Sequence, residues 1–275
     1  MKLIALLALL ASTTLCFGQT LKQTFYLAEE LFASGNFEKA KNNYDRVIYF
    51  DQNTTYKKKS LVRIADCYLA LSMPNKAFKA LDAAIVLTAD EFDKNELILI
   101  KSLKLIQEKM WFRALQDLYS LKNTNIEQTY LSNYLMGVAH FGSSNFEESK
   151  AHFIKIAHED DVVGINEIFE KAERKLNPKR AERLKTLSLF IPGSGQIIAG
   201  NAKSGVNSIL LLGGLGALYF ATVKSYGTFS GLITVLPWLS RYHIGGSENA
   251  EESMLKRQEK LKSRYFDEIL KIVNP

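Results

Sequence analysis

The apolar positions of this chain follow several different rhythms. Residues 3–11 are an unbroken apolar run between Lys2 and the polar triplet Ser12-Thr13-Thr14. From about residue 21 to residue 176 apolar side chains recur at helical spacing, interrupted by turns such as Ser34-Gly35-Asn36-Phe37 and Ser143-Ser144-Asn145-Phe146. Residues 186–240 carry only two charges, Lys203 and Lys224, and read as nearly continuous apolar segments. The chain ends on another helical rhythm, with Met254, Leu255, Leu261, Tyr265, Phe266, Ile269, Leu270 and Val273 set among charges. The pattern predicts an all-α protein with an N-terminal leader, a long helical array, a membrane-compatible segment and an amphipathic last helix.

The helical array repeats itself. Ala40, Ala77, Ala114 and Ser149 are spaced 37, 37 and 35 residues apart, and each follows a short turn. Twelve residues earlier stand Ala28, Ala65, Ser102 and Gly137, again all small. Four residues later comes a large side chain, Tyr44, Leu81, Leu118 or Phe153, and three further on Val47, Ala84, Leu121 or Ile156. Small residues on two helices let them cross closely, and the large ones fill the space toward the next pair.

This pattern resembles the tetratricopeptide repeat family, with four copies over about residues 21–161. The first copy carries Ala28, Gly35-Asn36-Phe37, Ala40, Tyr44 and Val47, and the fourth Gly137, Asn145-Phe146, Ser149, Phe153 and Ile156. The second departs by placing Pro74 where an aromatic belongs, and the third by placing Lys109 at the turn glycine. The closing proline is missing, with Gln52, Ala89 and Asp161 at three of its places. The resemblance implies a superhelix, residues 19–176, whose inner helices line a groove for a protein or peptide. Carried onto this chain, the groove positions are Phe25, Glu29, Phe32, Val62, Asp66, Leu69, Leu99, Leu103, Ile106, Tyr134, Val138 and Phe141. The family's Lys/Asn/Arg clamp for a terminal carboxylate has no counterpart here. The expected groove is acidic and apolar early and apolar late, which suits an extended or helical segment held by side-chain burial. The alternative is that these apolar positions merely pack against neighbouring repeats. Residues 164–176, with Ile165, Ile168, Phe169, Ala172 and Leu176, read as the helix that caps the array.

The ends of the chain bring in the membrane. A basic start, a nine-residue apolar run and Cys16-Phe17-Gly18 have the layout of a secretory signal peptide, residues 1–18, cleaved after Gly18. A lipid-modified Cys16 is the rival reading, opposed by Leu15 where such signals carry a small residue. Residues 177–186 form a basic linker within a stretch, residues 171–185, of seven Lys or Arg and two Glu. Residues 204–223 are twenty uncharged positions, enough for a helix to cross a hydrocarbon core of about 30 Å. Gly213, Ala217 and Ala221 give that helix a small face, against which residues 226–242 are expected to return as the second arm of a hairpin. Trp238 and Tyr242 are placed as interfacial anchors. The hairpin region is residues 187–246 and the amphipathic tail residues 247–275. Whether the chain crosses twice or three times stays open, as does a buried hairpin in a soluble domain.

Pro192, Gly193, Gly195, Gln196, Gly200 and Gly205 resemble the P-G-x-G-Q entry of small bacterial membrane domains, a family of obscure function. A glycine-rich loop before a helix also suits phosphate, but the Lys-Ser/Thr of a nucleotide loop is missing at the required spacing. A tight re-entrant bend at the membrane interface is the expectation.

Charge and composition narrow the function. The net +6 is uneven: residues 19–185 hold 25 basic and 23 acidic side chains, which gives no field for nucleic acid. His152 and His158 with Glu159, Asp160 and Asp161 match no metal-ligand spacing and read as a polar helix end. No nucleophile, paired-carboxylate or C-x-x-C signature is present, and Cys67 reads as a packing residue. The expectation is therefore a non-enzymatic protein, without metal or cofactor. It is an exported, membrane-anchored scaffold of the cell envelope, with the repeats outside the cytoplasm. Its partners are a protein or peptide in the groove and lipid along residues 187–246. The other expectation, from a different class, is an accessory subunit that assists insertion, assembly or transport through its membrane segment.

Overall fold

The computed structural model describes residues 20–273. Among them the chain is helical, with no strand. The expected signal peptide, residues 1–18, lies outside the described residues. The chain forms two compact units, one ending at Ser143 and the other starting at Ser144.

The first unit is built of helix pairs: α1 (Leu21–Ala33) with α2 (Phe37–Phe50), α3 (Lys57–Ala70) with α4 (Pro74–Val86), and α5 (Glu91–Gln107) with α6 (Trp111–Leu118). Each pair packs on the next, and α7 (Ile126–Gly142) packs on α5 and α6. Polar side chains cap the starts of α1, α5 and α7. Thr20 and Gln23 form a capping box on α1, Asp90 accepts from Asp93 N–H, and Asn125 accepts from Gln128 N–H at 2.7 Å. The small and large repeat positions form the core. Ala28, Ala40, Tyr44, Ala65, Ala77, Leu81, Ser102, Ala114 and Leu118 are all at most 1% exposed.

The repeat extends to the backbone. Gly35, Ser72, Lys109 and Ser144, each five residues before its small residue, have φ of +77°, +58°, +58° and +64°. In the first three turns this left-handed residue sits in one hydrogen-bond pattern. Gly35 N–H donates to Phe32 O and Asn36 N–H to Leu31 O; the same holds for Ser72/Leu69 with Met73/Tyr68, and for Lys109/Ile106 with Met110/Leu105. These are Schellman turns, which satisfy the last carbonyls of a helix and reverse the chain within three residues.

The second unit contains α8 (Phe146–Ile154), a 3-10 turn (Glu159–Asp161), α9 (Val162–Lys175), α10 (Lys179–Phe190), α11 (Ser194–Ile198), α12 (Ala202–Tyr226), α13 (Thr228–Thr234) and α14 (Leu236–Val273). The 38-residue α14 is its spine, packed against α9, α10, α11, α12 and α13. The helix expected at residues 164–176 is present as α9, with Ile165, Ile168, Phe169 and Ala172 buried. It packs on α8 and on α14, so the outer helix of the fourth expected repeat and the expected cap belong to the second unit.

Three expectations change here. The basic linker at residues 177–186 is helical from Lys179, because Pro178 supplies the preset φ of a helix start and Ala181 and Leu184 find a buried face against Met254. The tail does not begin at residue 247: α14 runs unbroken from Leu236 through the apolar and charged stretches alike. Where a single returning helix was expected stand the seven-residue α13 and the first turns of α14. Among the described residues only α12 is long and apolar enough to cross a membrane.

Candidate functional site

In the first unit, the first helices of successive pairs line two adjoining open clefts. One, of about 510 Å³, is bounded by Phe25 and Glu29 of α1, Lys58, Lys59, Val62 and Arg63 of α3, and Asp93, Glu96, Leu97 and Ile100 of α5. The other, of about 370 Å³, lies between Phe92, Glu96, Leu99, Ile100 and Leu103 of α5 and Glu127, Gln128, Leu131 and Leu135 of α7. Glu96 and Ile100 belong to both, so the two form one groove.

Five of the expected groove residues line it: Phe25, Glu29, Val62, Leu99 and Leu103. Phe32, Leu69, Ile106 and Phe141, each at the C-terminal end of its helix, do not. Ile106 and Phe141 are buried, Leu69 packs on the central core cluster, and Phe32 meets Phe37 edge-on at 5.3 Å. Asp66, Tyr134 and Val138 also fall outside the clefts; Tyr134 and Val138 pack against the core cluster. In the first three pairs the last turn of the first helix is covered by the second helix of its pair, and the open face lies one to two turns earlier. Lys59, Glu96 and Leu131 occupy one repeat position of that face, and Arg63, Ile100 and Leu135 another. The sequence signal for these was the helical spacing of four between the two sets.

The expected acidic character of the early groove is neutralised. Arg63 donates through Nε and Nη2 to the two oxygens of Glu29 at 2.9 and 2.7 Å, and Tyr44 OH donates to the same carboxylate at 2.6 Å. Asp66 takes Lys104 Nζ at 2.6 Å and Arg63 Nη1 at 3.6 Å, and Asp93 takes Lys58 at 2.6 Å. Burial and the Glu29 hydrogen bond push the Tyr44 phenol far above its ordinary value. Behind the groove, Lys101 of α5 reaches Asp82 of α4 at 2.6 Å and Asp117 of α6 at 2.9 Å, with only 8% of its side chain exposed. Burial lowers the Lys101 pKa, but the two carboxylates outweigh it and the net shift is upward. Cys67 is buried, and burial pushes its thiol up to about 11, which suits packing rather than nucleophilic chemistry.

In the second unit the glycine motif is a packing knot. Gln196, fully buried, donates through Nε2 to Gly246 O of α14 at 2.6 Å and to Ser208 Oγ of α12 at 3.3 Å. Its Oε1 accepts from Ser188 Oγ of α10 at 3.2 Å, and that hydroxyl also accepts from Gly195 N–H at 3.0 Å. One amide thus ties four helices. The glycines make room for it. A Cβ on Gly195 would meet Ser188 Oγ and lie 2.5 Å from Leu184 O, and one on Gly205 would lie 2.7 Å from Gly193 O. Gly193 itself is left-handed, with φ +83°, against Gly205 O. Gly200, at φ +91°, closes α11 with another Schellman turn, Gly200 N–H to Ile197 O and Asn201 N–H to Gln196 O. Pro192, half-buried, precedes the left-handed Gly193. Gly193, Gly195, Gln196 and Gly205 are buried among α10, α11, α12 and α14, whereas Gly200 is exposed.

Beyond the knot α12 is bare. None of its most apolar stretch is buried, and Leu210, Leu218, Phe220 and Tyr226 are each more than half exposed. The small face expected to receive the returning arm is open: Gly213, Ala217 and Ala221 are exposed, and nothing lies within 4 Å of where a Cβ would stand on Gly213. The arm instead approaches through Gly231 of α13, against Val223 and Tyr219. The glycine that decides the contact is on the other helix. Trp238 and Tyr242 stack at 6.4 Å, both partly exposed.

Compared with known proteins, the chain matches no described family, no curated protein and no solved structure.

Proposed function

We propose that this chain is a non-enzymatic scaffold, exported and tethered to a membrane of the cell envelope, whose tetratricopeptide-like repeats hold a protein or peptide partner. The observation that carries the tether is α12: 25 residues, uncovered, with its exposed surface built of Leu, Ile, Phe and Tyr. The groove supports the scaffold. Its floor changes from ion-paired beside α1 to apolar beside α7, where Phe92, Leu99, Leu103 and Leu131 offer burial to a docked segment. Export, with the repeats outside the cytoplasm, rests on the leader at residues 1–18.

The helices of the second unit supply a reason for one-sided anchoring. α10 runs from basic to apolar and α14 from apolar to charged. The Lys185–Glu251 pair at 2.7 Å sets the two in register, so that beyond it both become apolar, with Arg241 the one Lys, Arg, Asp or Glu on α14 before Glu248. The apolar ends of α10 and α14, together with α11, α12 and α13, then share one lipid layer. The chain enters through α12 and returns through α13 and α14, with its charged end on the side it left.

Alkaline extraction of membranes tests the tether. The full chain is expected to stay with the bilayer. Leu211→Arg with Leu218→Arg, each costing about 3 kcal/mol in hydrocarbon, should release it. Equal extraction of both proteins would sink the proposal. The open face at Gly213, Ala217 and Ala221 favours a second reading, an accessory subunit that docks a membrane partner there. Exchange of residues 187–246 for an unrelated two-helix anchor separates the two: a scaffold keeps its function and an accessory subunit loses it.

A further inference from the structure

We infer that an open cleft of about 510 Å³ between the turn at residues 199–201 and the middle of α14 holds the phosphate of an anionic lipid headgroup. The inference rests on the membrane reading above. Three cations of α14 line the cleft, Lys256, Arg257 and Lys260, against one carboxylate, Glu252, which pairs with Lys256 at 2.6 Å. Opposite them stand small or polar groups only: Gly200, Asn201 and Ser204, with Ser253 beside Asn201 at 3.2 Å. The cleft therefore offers a net positive charge and several hydrogen-bonding groups around a space that fits a phosphate.

Its position argues for a lipid. Arg257 Nη1 donates to Ile198 O at 3.0 Å, which holds the guanidinium one peptide away from Ile197 and Ile198, both about 45% exposed. Gly200 holds the turn in its left-handed conformation, φ +91°, 3.5 Å from Arg257 Nη1 as measured from where a Cβ would stand. The basic cluster thus lies directly where the uncovered apolar surface begins, at the depth of a headgroup whose acyl chains would cover that surface. A soluble phosphate compound would gain nothing from the apolar rim.

The test uses the full chain in neutral detergent, titrated with phosphatidylglycerol, with phosphatidylcholine and with inorganic phosphate. Phosphatidylglycerol is expected to bind in preference to phosphatidylcholine. Removing cleft cations should weaken that preference about fivefold per residue, the equivalent of about 1 kcal/mol for each basic side chain near an anionic surface. The double variant Lys256→Gln with Lys260→Gln leaves the Arg257 cap on α11 intact and keeps the fold. Adding Arg257→Gln extends the series. Lys179→Gln with Arg180→Gln and Arg183→Gln, exposed cations of α10 outside the cleft, should change little. Equal losses from the two sets would overturn the cleft in favour of diffuse attraction. Competition by inorganic phosphate as strong as that by the lipid would overturn the lipid assignment. Flotation with neutral phosphatidylcholine vesicles reads the membrane proposal separately: failure there sinks the tether and this inference with it, whereas flotation without a phosphatidylglycerol preference sinks this inference alone.

Discussion

Both units reverse the chain on left-handed residues, yet they spend glycine differently. In the first unit the left-handed position is glycine once, at Gly35, and Ser72 and Lys109 fill it elsewhere. Nothing stands within 4 Å of a Cβ on Gly35, so that turn needs a backbone conformation and not an empty space. In the second unit Gly195 and Gly205 have ordinary φ and are needed because neighbouring backbone occupies the place of a side chain. The repeats can drift in sequence while their turns survive at a cost of about 1–2 kcal/mol per non-glycine residue. The knot has no such latitude. A motif read as "glycine-rich" therefore covers two requirements, and only one of them tolerates substitution.

The sharpest way to break this comparison is Gly195→Ala or Gly205→Ala. Either should cost the second unit about 3 kcal/mol or more, because the new methyl meets backbone oxygen that cannot move alone. The two tryptophans, Trp111 in the first unit and Trp238 in the second, let fluorescence follow each unit separately during unfolding. The Trp238 transition should fall and the Trp111 transition stay. Gln196→Leu comes next, at about 2 kcal/mol, since the buried Ser188 hydroxyl loses its acceptor and Gly246 O loses the bond it receives from outside its helix.

In the first unit the largest effect belongs to charge. Lys101→Met should lower the Trp111 transition by about 2 kcal/mol, because Asp117 and Asp82 lose their shared cation; Asp82 is half exposed, which moderates the cost. The folded protein holds the Lys101 proton more tightly than its ordinary value of 10.5 allows. Its contribution is therefore complete below pH 10.5 and is lost as pH rises through the higher folded value. Thermal unfolding followed upward through that range should show the loss in the native chain and a shallower one in Lys101→Met. The smallest effect has the opposite sign. Lys109→Gly should stabilise the first unit by about 1 kcal/mol by relieving the left-handed lysine, whereas Gly35→Ala should destabilise it by a similar amount. An unchanged or lowered Trp111 transition in Lys109→Gly would show that the turns demand more than φ.

How much of this was legible in the sequence depends on how local the cause is. The small residues at 28, 40, 65 and 77 announce close helix crossings, and all are buried. The stretch 164–176 carries its own apolar stripe and folds as the helix α9. Groove residues were legible as far as the right helices. The correct turn of each was not, because it depends on where the outer helix stops covering the inner one. Glu29 and Asp66 read as an acidic patch; their partners Arg63 and Lys104 lie 34 and 38 residues away and become visible only in space. Gln196 stood out as part of a motif, but Ser188, Ser208 and Gly246, which give it its role, are unremarkable residues spread over three other helices.

The continuity of α14 has a mechanical consequence. A helix of 38 residues is about 57 Å long, and no glycine or proline interrupts it after Gly246. At one end it carries the exposed Leu236, Trp238 and Ile244. Further along, Gln258 donates to the carbonyls of Lys175 and Asn177 and so clasps the end of α9, while Tyr265, Ile269 and Val273 are buried. A flexible tether would let the apolar end swivel without disturbing α9. A stiff rod gripped at the far end acts as a lever, so tilt or tension applied at Trp238 arrives at α9 as torque.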